Sequence, residues 1–135
     1  LKHAPILRKA GRIGNDVTSV CGDLSMRLFR VSPMPEPIKI WLCPAATVEA
    51  EGRTGFGLFG VRDNGSPTIL IGAVLSQDMR VDVSRNEWLY LMVPEVLCHE
   101  WAHAEQWRDG KPLRERGVDR RAKKLLEETR WEKIV

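Results

Sequence analysis

No apolar run approaches the roughly 18–20 residues that a membrane-crossing helix requires. The richest stretch, Trp88 to Cys98, is short and carries Pro94 and Glu95, so a spanning segment is excluded. Cysteine is scarce: Cys21, Cys43 and Cys98 are scattered and contain no CxxC pair. That set suits neither a disulfide framework nor a cysteine-built zinc site, and it favours a reducing compartment. The sequence opens on Leu1 rather than Met, so the expectation of a cytoplasmic protein rests on the cysteines alone. Internal repeats and low-complexity tracts are absent, and the Pro-rich piece from Ser32 to Pro37 is only long enough to connect two elements.

What is present is ordinary for a globular chain. Its 135 residues are 43% apolar and 29% charged, which predicts one domain over residues 1–135 with a single core. The net charge of +3 is unevenly placed, because from Arg108 onward ten Lys and Arg face six acids. Val17, Val20, Cys21, Leu24 and Leu28 recur at helical spacing and predict an amino-terminal helix over about 16–30, with Asn15 or Asp16 as its N-cap. Ile38, Ile40 and Leu42 alternate with Lys39, Trp41 and Cys43, the pattern of a half-buried strand. Gly55 to Arg62 and Thr68 to Leu75 flank Asn64-Gly65 and predict a hairpin. Ser84-Arg85-Asn86-Glu87 matches a capping box, opening a helix that runs to about Arg108, either kinked or split, with Pro94 as the first residue of the second piece. A last helix is expected over about 113–130. The fold class is therefore α+β, with a twisted sheet of about three to four strands.

Within the second helix stands His99-Glu100-Trp101-Ala102-His103, an HExxH sequence that uses two of the three histidines in the chain. Residues four apart share a helical face, so the two imidazoles can converge on one ion at about 2.0–2.1 Å each. Glu100 starts 100° round the helix, where its carboxylate can take a proton from a metal-activated water. The motif thus predicts Zn2+ held by His99 and His103, with Glu100 as general base. A catalytic zinc normally takes a third protein ligand. His3 is remote in an amino-terminal stretch read as irregular, and Cys98 points to another face. An acid after the helix remains.

HEWAH followed by the stretch ERGVDRRAKKLL resembles the gluzincin branch of the zincin metallopeptidases, in particular the ImmA/IrrE-type peptidases, and also the ExxAD element of HtpX and the CAAX prenyl endopeptidases. The motif is similar to that of SprT-like proteins as well. The likeness covers about Val93 to Leu126. It implies a small zincin-like domain with Glu115 as third ligand, supplied by a second helix, and Asp119 as the acid that orients His99 or His103. A helical hairpin turning near Gly110 to Pro112 would instead set Asp119 opposite His103, making it the alternative ligand. Asp109 is a third candidate, since HExxHxxQxxD loosely resembles the metzincin pattern with Gln106 in place of its glycine.

The implied function is zinc-dependent hydrolysis of peptide bonds, with a peptide or protein substrate lying extended along the sheet edge that Thr68 to Leu75 forms or adjoins. Tyr90 is a candidate stabiliser of the oxyanion. Two other classes remain open: a catalytically silent zincin-fold binding or regulatory module, and a basic nucleic-acid-associated protein. Trp101, Trp107 and Trp131 beside many cations would serve the latter, although core packing is the stronger explanation of these rings.

Overall fold

The computed structural model describes residues 3–131. Strand β1 (Ile6–Lys9) is followed by helix α1 (Asn15–Val31), β2 (Lys39–Cys43), a small hairpin of β3 (Val48–Ala50) and β4 (Arg53–Gly55), and a second hairpin of β5 (Gly57–Val61) and β6 (Pro67–Gly72). A 3-10 turn at Met79–Val81 precedes the single turn α2 (Arg85–Glu87), a π-helical stretch Trp88–Met92, the long α3 (Val93–Arg108) and α4 (Val118–Glu128). The main sheet has the order β1-β2-β6-β5, with β1, β2 and β6 parallel and β5 antiparallel to β6. β3 and β4 form a separate antiparallel ribbon. The chain is α+β.

Local chemistry accounts for most of these elements. In β2, Ile40 and Leu42 are buried while Lys39, Trp41 and Cys43 are half-buried, as the period of two requires. The β5–β6 hairpin closes through Arg62 N–H to Ser66 O at 2.9 Å, with Gly65 at φ +84° and Ser66 N–H bonded to Asn64 Oδ1 at 3.0 Å. Ser84 caps α2 by accepting the Glu87 N–H at 3.1 Å. At α1 the cap is Gly14, not Asn15 or Asp16. Asp16 sits in the first turn instead, accepting the Val17 N–H at 2.8 Å and clamping the Arg85 guanidinium at 3.1–3.2 Å.

Two expectations need correction, for the amino-terminal stretch and for the start of the last helix. The amino-terminal stretch is not irregular: Ile6–Lys9 is an edge strand, paired only with β2, and four residues with no alternating burial leave no pattern to read. The run from Arg85 is split as the proline requires: the hydrogen bonding widens to a π-turn just before Pro94, which falls in the first turn of α3, where its missing N–H is not needed. The last helix starts at Val118 rather than 113, because Gly117 adopts φ +83° and ends the irregular 111–117 segment. Thr68 to Leu75 adjoins a sheet edge, since parallel pairing with β2 makes β6 an interior strand and leaves its other neighbour, β5, as the edge on that side.

The core gathers Ile40, Leu42, Phe59, Ile69 and Ile71 of the sheet with Leu24 and Leu28 of α1 and Leu97 and Trp101 of α3. All three cysteines are free, and burial drives the thiol of Cys21 up to about 12. Among the described residues no helix is long and apolar enough to cross a membrane. One polar knot lies inside. Glu105, almost fully buried, accepts both Arg121 Nε and Nη2 at 2.7 Å and the Ser32 hydroxyl at 2.5 Å, while Trp101 Nε1–H donates to Ser32 O at 3.2 Å. This knot ties the end of α1 to α3 and α4. Glu105→Ala is expected to cost about 2–4 kcal/mol by leaving Arg121 without its bidentate partner. Removing the more exposed Glu128 partner of the same guanidinium should cost under about 1 kcal/mol; urea-unfolding midpoints of the two variants check the difference.

Candidate metal centre

The face of α3 turned to α4 carries His99 and His103, whose ring centroids are 5.1 Å apart and nearly perpendicular. Between them reaches Glu115, from the bend just before α4: its Oε2 lies 3.0 Å from His99 Nε2 and its Oε1 lies 3.0 Å from His103 Nε2. One ligand atom from each of the three residues falls within 4.8 Å of the others. Tetrahedral ligands at 2.0–2.1 Å from one zinc stand about 3.3 Å from each other, close to these spacings.

The outer ring nitrogens are also engaged. His99 Nδ1 meets Asp119 Oδ1 at 3.0 Å, and His103 Nδ1 meets Gln106 Oε1 at 2.9 Å. The orientation of the Gln106 amide follows from Arg114, whose backbone N–H donates to Oε1 at 3.1 Å and whose carbonyl accepts from Nε2 at 2.9 Å. Hence His103 must donate from Nδ1, leaving a lone pair on Nε2. His99 stands between two carboxylates and, when neutral, has one proton for both. Four acceptors therefore surround two rings that, when both are neutral, together carry two protons. A cation among Nε2 of His99, Nε2 of His103 and the Glu115 carboxylate supplies what is missing, and the donor set of two imidazoles and one carboxylate suits zinc. The residues present fit that ion.

Glu100 is buried beside this cluster. Its carboxyl is pushed above the ordinary carboxylate range, chiefly by burial, against the opposing pull of the two histidines and with a further upward push from Glu115. Strand β5 makes room for it through Gly57, where a Cβ would lie 2.5 Å from Val96 Cγ1 and 3.1 Å from Glu100 Cγ. Gly72 N–H bonds to Phe56 O and Arg62 N–H to Ser66 O, so by antiparallel alternation the backbone groups of Gly57 and Phe59 face away from β6. Arg53 Nη2 covers the Phe59 carbonyl at 3.1 Å, and Gly57 is left at the edge. A cleft of about 920 Å³ opens beside His99 and Glu100, between β5, α3 and α4.

Of the residues expected from sequence, His99, Glu100, His103, Glu115 and Asp119 come together. Glu115 touches both Nε2 atoms, and Asp119 touches His99 from behind. Glu115 lies in a bend rather than on the second helix, since Gly117 delays that helix. Asp109 stands apart as the C-cap of α3, paired with Arg108 at 2.9 Å, which holds its carboxyl below the usual range. His3 is not in the cluster. Tyr90 lines the cleft, but nine residues before His99 place it about 13 Å away along the helix, too far to meet an oxyanion at the cluster. Trp101 and Trp131 are buried and Trp107 packs against the core, tilted on Phe59 at 6.4 Å, so these rings form no open stacking face.

Gln106 and Gly57 are the residues that sequence reasoning missed. The signal for Gln106 was its i+3 spacing from His103 on one helix; for Gly57 nothing local marked it out from its neighbouring glycines. Comparison of the chain with protein-family models, with curated proteins and with solved structures finds no significant match to any of them.

Gly57→Ala is expected to destabilise the fold by about 1–3 kcal/mol, because the added methyl forces α3 and Glu100 off the strand. Gly60→Ala, whose Cβ would meet only the flexible end of Arg53 at 3.6 Å, should stay within about 0.5 kcal/mol. Parallel urea titrations of the two variants give the comparison.

Proposed function

We propose that the chain is a zinc-dependent peptidase of the zincin type, with His99, His103 and Glu115 as the ligands and Glu100 as general base. The observation that carries this reading is the convergence of two imidazole Nε2 atoms on one carboxylate while both Nδ1 atoms are held from behind, with a buried carboxyl alongside. A zinc ion bound there would act as a Lewis acid, polarising a carbonyl and lowering the pKa of a water to about 7.

The chain's own residues account for the remaining steps. Asp119 and Gln106 fix the rotation and tautomer of the two rings, so the ligands arrive preoriented. Glu100 accepts a proton from the attacking water and returns it to the leaving amine nitrogen; a carboxyl whose hold on a proton is strengthened by burial is suited to both transfers. Gly57 offers its outward backbone groups to an extended substrate, which would add as a strand to the edge of the sheet. The architecture expected of this group, a sheet whose edge strand borders the HExxH helix, is compatible with β5 beside α3. A nucleic-acid-binding role has no comparable support: two of its three candidate tryptophans are buried, and the cleft is lined by more acids than bases. A catalytically silent binding module differs from the peptidase only in turnover, and the buried Glu100 favours turnover.

Purified protein is expected to bind one zinc per chain, and a zinc-loaded sample to cleave flexible peptides. Glu100→Gln should retain the metal and lose hydrolysis. Elemental analysis with no uptake of added zinc would overturn the metal site; zinc binding without cleavage by the unaltered chain would leave the silent module. Zinc titrations should further separate the ligand from its supports: Glu115→Ala loses the metal, while Asp119→Ala and Gln106→Ala weaken it by about 10–100-fold. A reversed order would make Asp119 the ligand.

A further inference from the structure

The cleft beside the candidate centre has two distinct ends. Its near end is the His99–Asp119 contact at 3.0 Å, and its far end is closed where Trp131 Nε1–H donates to Tyr90 O at 3.0 Å. Moving from one to the other means moving back from residue 99 through α3 and the π-helical stretch to 90, and forward from 119 through α4 to Trp131 just past its end, so the two helices run antiparallel as its sides. Nine residues on one side and twelve on the other correspond to about 13–18 Å at 1.5 Å per residue, room for about four to five residues of extended chain at 3.3 Å each.

The lining changes character along that path. Tyr90, Leu91 and Leu126 make an apolar far end with Trp131 as its floor. Leu91 is 50% exposed and Tyr90 37% exposed, and Phe56 on the β5 side is 49% exposed, an unusual concentration of uncovered apolar surface around one groove. Glu100 and Asp119 line the near end, where Asp119 is held by His99, and the charged lining residues beyond them are Glu95 and Glu127 against Lys123. The basic excess of the carboxyl-terminal segment therefore does not set the sign of the groove. Arg121 is engaged by Glu105 and Glu128, and Lys123 stands on the helix between Asp119 and Glu127, one turn from each.

We infer that this groove selects an extended, basic polypeptide segment that places a large aliphatic or aromatic side chain three to four residues from the bond held over the His99–Glu115 cluster. The apolar end supplies the anchor, and Glu95 and Glu127 supply complementarity to flanking lysines or arginines. This inference rests on the peptidase reading for the position of the scissile bond, but the groove's preference is a property of binding and can be measured without turnover.

The test uses the full chain carrying Glu100→Gln, zinc-free and zinc-loaded, and three fluorescein-labelled peptides in a Gly-Ser background: one Leu flanked by Lys, one Leu flanked by Glu, and one Ser flanked by Lys. The Leu–Lys peptide is expected to bind about tenfold or more tighter than either of the others, as burial of a leucine side chain allows. Leu91→Ser should remove the preference for Leu over Ser, and Glu127→Lys the preference for Lys over Glu; both side chains are exposed enough to change without loss of fold. Equal binding of the three peptides, a preference for the Glu-flanked one, or preferences that survive both substitutions would overturn the inference. The peptidase reading fails separately: if the unaltered zinc-loaded chain binds the Leu–Lys peptide selectively and leaves it intact, the groove stands and the hydrolysis does not. If it instead cleaves all three peptides alike, the hydrolysis stands and the groove's selectivity does not.

Discussion

The bidentate pair between Glu105 and Arg121 holds the candidate centre in shape without touching it. Glu105 sits two residues after His103 and Arg121 two after Asp119, so clamping one to the other at 2.7 Å fixes how far α4 stands from α3. That separation determines whether Asp119 reaches His99 and whether Glu115, in the bend before α4, falls between the two rings. The Ser32 hydroxyl on the same carboxylate carries the constraint into α1. A buried carboxylate with such partners is costly to desolvate, and an apolar pair of similar volume could hold two helices as well. What the ion pair adds is direction, because a fork-to-fork contact admits one rotation of α4 about its axis where apolar packing admits several.

Helix α3 carries opposite demands on its two faces. Leu97, Cys98, Trp101 and Ala104 are fully buried and hold the helix in the core, while His99, Glu100 and His103 alternate with them and must remain polar. The conflict is met by satisfying each polar group from a different neighbour: Asp119 from α4, Gln106 from α3 itself, and space for Glu100 from the missing Cβ of Gly57. The Gln106 clamp on both backbone groups of Arg114 is the most economical of these devices. One amide sets the ring of His103 and anchors the loop that delivers Glu115.

Legibility from sequence followed the range of the interaction. Helix α1, strand β2, the β5–β6 hairpin and the Ser84 cap were readable because their signals repeat within a few residues. HExxH placed His99, Glu100 and His103 on one helix for the same reason. The pairing of β1 with β2 was not readable, since four residues of partial burial become a strand only against a partner some thirty residues on. That Thr68 to Leu75 adjoins an edge instead of forming one was not readable, because β6 gains β2 as a neighbour through parallel pairing, which no local pattern announces. Glu115 was named through a resemblance, and its position in a bend rather than on a helix depends on one glycine at φ +83°.

Apart from Gly57, the residues of the centre lie between His99 and Asp119, a stretch that two adjacent helices and one connecting loop can assemble largely by themselves. Their preorganisation still depends on distant parts of the chain, because an isolated helical hairpin would leave Trp101 and Leu97 in water and would not hold Glu105 dry enough to orient Arg121. The sheet therefore contributes in two ways that differ in kind. Its buried face, with Ile40, Ile69 and Ile71, supplies the apolar surface that keeps α3 folded at its full length. Its β5 edge borders the cleft, and the position nearest Glu100 is a glycine because a Cβ there would run into Val96 and Glu100.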